Sequence, residues 1–182
     1  MTTVDFHYRG SDANGARRIG KTGVASPVDL QVVSAGMETG NEASIHVNGR
    51  EWAVNRRGYN VVAIDPVSGD VLSSELYDTL VSPGESGRLA AAISRLTTGT
   101  IVAVAVKDEA SGALTGEAVA ALQSLGGTED IRGRYRVSHL LVGVKGAAPG
   151  TVIERSGYAR LTVLLGYAPG QLGIEMRAFA LR

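Results

Sequence analysis

Residues 101–106, Ile-Val-Ala-Val-Ala-Val, have no polar face at all. Successive side chains of a strand point to opposite sides, so a strand of this composition needs apolar cover above and below. The hexad therefore predicts a central strand of a sheet, and it runs straight into Lys107, Asp108 and Glu109. These charges are either an ordinary solvated turn or groups that the strand delivers to a binding site. Asp108 and Glu109 are neighbours on an extended chain, so their side chains diverge to opposite faces, which suits no general acid–base pair.

The rest of the chain punctuates itself in the same β idiom. "ASIHVNGREWAV" reads as two alternating runs joined by Asn48 and Gly49, the pair that supplies the positive φ angles of a two-residue hairpin turn. "YNVVAIDPVSGDVLSSELYD" predicts a second hairpin, with Asp65, Pro66, Ser68 and Gly69 in the turn. Helical spacing appears in only two places. One is "SGRLAAAISRL", with Leu89, Ala92, Ile93 and Leu96 on one face, Ser86 as N-cap and Gly99 as stop. The other is "LTGEAVAALQSLGG", capped by Thr115 and ending at Gly126. "VDLQVVSAG", "YRVSHLLVGVKG", "YARLTVLLGY" and "QLGIEMRAFALR" are further strand candidates. The expected fold is mainly β with two short helices, an α+β, β-sandwich-like domain over residues 28–182 preceded by a polar arm, residues 1–27.

Composition narrows the chemistry. The 18 basic and 18 acidic residues balance, so no global field draws in nucleic acid, an anionic membrane or a polyanionic glycan. The absence of cysteine among the 182 residues excludes disulfides and thiolate chemistry. No apolar run approaches the ~18 residues of a membrane span, and no signal-peptide pattern opens the chain, which predicts a product made in the cytoplasm without membrane insertion. His7, His46 and His139 lack ligand spacing, so no metal or cofactor is expected. "GARRIGKT" at 15–22 matches the phosphate-binding loop letter for letter, with Lys21 in the lysine position. However, a loop precedes it, and Gly23 and Pro27 follow where a helix should start.

Four segments taken in order carry a resemblance: "GYNVVAIDPVSGDVLSSELYDT", "LAAAISRLTTGTIVAVAVKDEASG", "EAVAALQSLGG" and "YRVSHLLVGVKG". Together they resemble the interleukin-like epithelial–mesenchymal transition inducer and PANDER domain family over residues 42–146, with an extension from 147 to 182 outside the match. The resemblance implies a β-sandwich-like fold without enzymatic activity. It also implies kinship with the glycan-binding stem domain of the protein O-mannose N-acetylglucosaminyltransferase. By that likeness the sugar-binding positions are Asp108, in the V-K-D-E turn, and Arg136, with Tyr135 and His139 at the positions of two tryptophans and Val137 at that of an aspartate. The alternative at the same positions is an Asp108–Arg136 ion pair that merely ties two strand ends together.

The function expected from these readings is a non-catalytic, carbohydrate-binding-like domain displayed on a larger assembly, a phage virion capsid or tail. Residues 1–27 and 147–182 would contact neighbouring subunits. The alternative expectation is a purely structural decoration protein making only protein–protein contacts.

Overall fold

The computed structural model describes residues 17–166. The strands are β1 (Leu30–Gly36), β2 (Glu42–Val47), β3 (Arg50–Glu51), β4 (Gly58–Ile64), β5 (Val71–Tyr77), β6 (Ile101–Asp108), β7 (Ser138–Val144), β8 (Ile153–Gly157) and β9 (Leu161–Leu165). Two helices, α1 (Pro83–Ser94) and α2 (Gly116–Gln123), flank β6 in sequence. Among the described residues no helix is long and apolar enough to cross a membrane.

The hexad of β6 organises three layers. Val102, Val104 and Val106 face a core closed by Leu89 and Ile93 of α1 and by Val119 and Leu122 of α2. Ile101, Ala103 and Ala105 face a second core made with Leu30, Val32, Ala43 and Ile45 of β1 and β2. A helical layer, a sheet ordered β5-β4-β6-β7-β8 and a second sheet ordered β3-β2-β1-β9 thus stack with β6 buried in the middle. Each fully buried Val or Ile contributes about 1.5–3 kcal/mol relative to exposure. Both faces of β6 therefore stabilise the fold.

The turn chemistry is as expected at Asn48 (φ 48) and Gly49 (φ 78). The Asp65 carboxylate caps its own turn by accepting from Val67 N and Ser68 N, both at 2.8 Å. Thr115 caps α2. Ser86 does not cap α1. Ser82 takes that role, its hydroxyl accepting from Glu85 N, with Pro83 in the first turn, and Ser86 is buried and donates to the Ala113 carbonyl at 2.8 Å.

The described residues of the two flanking segments are engaged within the domain itself. Ile19 is fully buried in the core between the sheets, β8 extends the first sheet beside β7, and β9 closes the second beside β1. The described part of "GARRIGKT", residues 17–22, contributes a tight turn in which Arg18 pairs with Ala25, Ile19 N donates to Val24 O and Lys21 N donates to Thr151 O, so these amides are spent within the domain. The strand candidate "QLGIEMRAFALR" lies outside the described residues.

Candidate ligand site at the splayed end of β6 and β7

The antiparallel ladder between β6 and β7 runs from Ile101↔Val144 to Ala105↔Leu140 and then opens. Val106 and His139 would be the next pair. Instead, Ser34 of β1 inserts its hydroxyl, donating to Val106 O at 2.7 Å and accepting from His139 N at 3.0 Å. β1 then replaces β7 as the neighbour of β6, pairing in parallel through Ala35↔Lys107 and Gly36↔Asp108. The exchange of partners is completed by Ser138, whose hydroxyl accepts from Gly36 N at 2.9 Å and donates to Ala159 O at 2.7 Å.

Gly36 lies between the two residues that the sequence singled out. A Cβ built on it would collide with the Arg136 carbonyl and stand 3.5 Å from that of Asp108. The reason for glycine here is close approach, since its φ of −61° is open to any residue. Asp108 and Arg136 themselves have φ of 60° and 57°. The left-handed region is uncommon for non-glycine residues, and a bulky side chain such as arginine rarely adopts it.

What holds Arg136 in that conformation is Glu109. Its carboxylate is only 1% exposed and accepts from Ser111 N at 2.5 Å and from Arg136 N. Asp108 and Glu109 do diverge, with the first half-buried at the surface and the second inside. Sequence reasoning set Glu109 aside with the acid–base pair, and nothing local identified Arg136 N as its partner, 27 residues away.

The Asp108–Arg136 ion pair, the alternative reading of these positions, is not formed. Arg136 Nη1 donates to Glu38 Oε1 at 2.6 Å, and Glu38 stands on the short 3-10 turn that follows β1. Its hydrogen bond to Glu38 holds the Arg136 guanidinium above its ordinary pKa, with Asp108 a smaller contributor. The guanidinium carbon sits 4.8 Å from the centre of the Tyr135 ring, which is 60% exposed. Among the described residues the Asp108 carboxylate accepts no hydrogen bond, and Lys107 beside it is engaged by Asn55. Asp108, Arg136 and Tyr135 therefore gather at one rim around Gly36.

His139 does not join them. The residue is 1% exposed, its Nε2 is 3.0 Å from Glu154 Oε1, and its Nδ1 is 3.2 Å from the Tyr59 hydroxyl. With its ring on the buried, helix-facing side of the sheet between Glu154 of β8 and Tyr59 of β4, it presents nothing to a ligand and drops out of the site. Burial pushes the Glu154 carboxyl up, but hydrogen bonds from His139, Thr128 N and Glu129 N outweigh it and hold the group below its ordinary value.

A family model described as "Interleukin-like EMT inducer" matches residues 57–147, half of the chain. Over 109 residues, 60% of its length, the chain is 35% identical to the human cell migration-inducing and hyaluronan-binding protein. Over 89 residues, 48% of its length, it is 39% identical to the human cell surface hyaluronidase CEMIP2. A mouse cell migration-inducing and hyaluronan-binding protein is 33% identical over 109 residues. The chain spans only 6–8% of the length of these relatives. They overturn the expectation of a cytoplasmic product that ends on a virion or other particle, because one is named as a cell-surface protein and none as a virion component.

Proposed function

The chain belongs to the interleukin-like EMT inducer family, and from that premise we propose that it is a non-catalytic glycan-binding domain whose site comprises Asp108, Arg136 and Tyr135. The observation that carries the reading is the pair of left-handed, non-glycine residues flanking Gly36. Strain of this kind persists only where surrounding structure enforces it, and it concentrates at functional positions. Here a buried carboxylate and an inserted strand enforce it.

The chemistry suits a sugar. Asp108 accepts from ring hydroxyls, Arg136 donates from a planar fork, and the exposed Tyr135 face covers the apolar side of a pyranose. A ligand carboxylate would take the place of Glu38 on the guanidinium, and this local basic group offers an acidic glycan a contact that the neutral overall charge does not advertise. Hyaluronan is the natural first probe, since two of the relatives are named for binding it.

Glycoside hydrolysis needs two carboxylates free to act on either side of the scissile bond. Near the site, Glu109 is buried on two backbone amides and Glu38 is paired with Arg136, which favours binding without turnover. The hyaluronidase activity in one relative's name belongs to that protein, of which this chain spans 6%.

The test is binding of hyaluronan oligosaccharides to the parent and to Asp108→Ala and Arg136→Ala, each checked for an unchanged melting transition. A loss of about tenfold or more in both folded variants is expected. Parent-like binding by both would refute this site.

A further inference from the structure

Four tyrosines lie among the described residues. Tyr59 and Tyr77 are buried, whereas Tyr135 and Tyr158 are 60% and 65% exposed. Both exposed rings stand at the same end of the molecule. The last pair of the β7–β8 ladder is Ser138↔Gly157. Tyr158 is the first residue beyond that pair on one strand, and Tyr135 lies three residues before it on the other.

The loops that carry them are joined by one side chain. The Ser138 hydroxyl accepts from Gly36 N, donates to Ala159 O and lies 3.2 Å from Thr39 Oγ1. Three surface segments are thereby fixed to each other: Met37–Thr39, Tyr135–Arg136 and Tyr158–Ala159. Each bears one exposed large apolar side chain, with Met37 45% exposed.

From this arrangement we infer that Tyr158 is a second sugar-stacking platform, so that the site takes an internal run of several sugar units rather than a single terminal sugar. The inference rests on the glycan-binding reading above and extends it to the class of ligand. A lone exposed aromatic ring on a turn needs no explanation, but two rings on loops held by a common buried hydroxyl form a fixed spacing. The ion pair between Arg136 and Glu38 belongs to the same cluster of loops, and Arg160, two residues past Tyr158, is held by Glu42 at 2.8 Å. Apolar faces interrupted by charged groups match the alternation of C–H faces and hydroxyl rims along a saccharide chain. A protein partner would favour a continuous apolar centre.

The experiment titrates hyaluronan fragments of increasing length, from disaccharide to decasaccharide, against the parent, Tyr158→Ala, Tyr158→Phe and Asp108→Ala. The parent should gain affinity with length. Tyr158→Ala should bind the shortest fragment that the parent binds with unchanged affinity and lose about threefold to tenfold on the longest, while Tyr158→Phe keeps the gain. A Tyr158→Ala variant that matches the parent at every length, or that weakens equally at every length, would overturn the second platform. Failure of the underlying reading has its own signature: Asp108→Ala binding like the parent throughout, or no fragment binding the parent, would overturn both.

Discussion

Replacing Glu109 by glutamine leaves the shape of the side chain and removes its charge. In the parent, both oxygens are engaged inside the protein, one with Ser111 N and the other with Arg136 N. Each hydrogen bond to a charged acceptor contributes about 1.5–3 kcal/mol, and a buried amide left without a partner carries a cost of similar size. Glutamine keeps one acceptor oxygen and turns an NH2 group toward the other backbone N–H, so one bond is replaced by two donors facing each other. The expected loss is about 2–4 kcal/mol. For a chain of 182 residues each kcal/mol moves the melting temperature by roughly 2–4 °C, which predicts a fall of about 4–16 °C. Urea unfolding with the slope m compared between parent and variant measures the first figure, and thermal melting the second. Glycan affinity should fall with stability, because Arg136 loses the anchor of its backbone. A Glu109→Gln variant within about 0.5 kcal/mol of the parent, at equal m, would refute the argument that this carboxylate holds the site together.

Two further outcomes test neighbouring parts of the structure. Gly36→Ala places a methyl against the Arg136 carbonyl, so a loss of about 1–3 kcal/mol in urea unfolding is expected together with loss of glycan binding. Glu154 titrates below its ordinary 4.5 in the folded protein, so its contribution is complete above the unfolded value and disappears as pH falls through the folded one. Stability measured as a function of pH should therefore decline below about 4.5 in the parent, and Glu154→Gln should be less stable at neutral pH and show a flatter acid limb.

Much of this architecture was legible because its signals are local. The apolar hexad announced a strand covered on both faces, Asn48-Gly49 and Asp65 announced their turns, and Thr115 announced α2. Ser82-Pro83 with Glu85 three residues after the serine also marks a helix start. Ser86, four residues on, carries a serine's capping chemistry but lies inside the helix that this signal starts. β8 escaped because Glu154, Arg155 and Ser156 look like loop residues until His139, the Thr162 carbonyl and Arg134 are placed against them. The site divides in the same way. Asp108, Arg136 and Tyr135 were reached through family motifs and are brought to one rim. His139 was placed on the surface by the same motif, yet its ring belongs to the interior, because Tyr59 lies 80 residues away and no short window contains both. The Glu38 partner of Arg136 is 98 residues distant and equally invisible to spacing.

A strand shared by two hydrophobic layers ties their fates together. Val102 and Ala103 are adjacent residues serving opposite sides, so loss of one layer uncovers a face of the strand that the other layer needs. Amides in the middle of β6 are therefore expected to show the highest protection in native-state hydrogen exchange. Lys107 and Asp108 lie past the point where both layers grip the strand, and Asp108 is half-buried at the surface. The rim at Asp108 thus stands one residue past Lys107 on a strand whose body is gripped from both faces, so local opening at the rim is expected to leave that foundation intact.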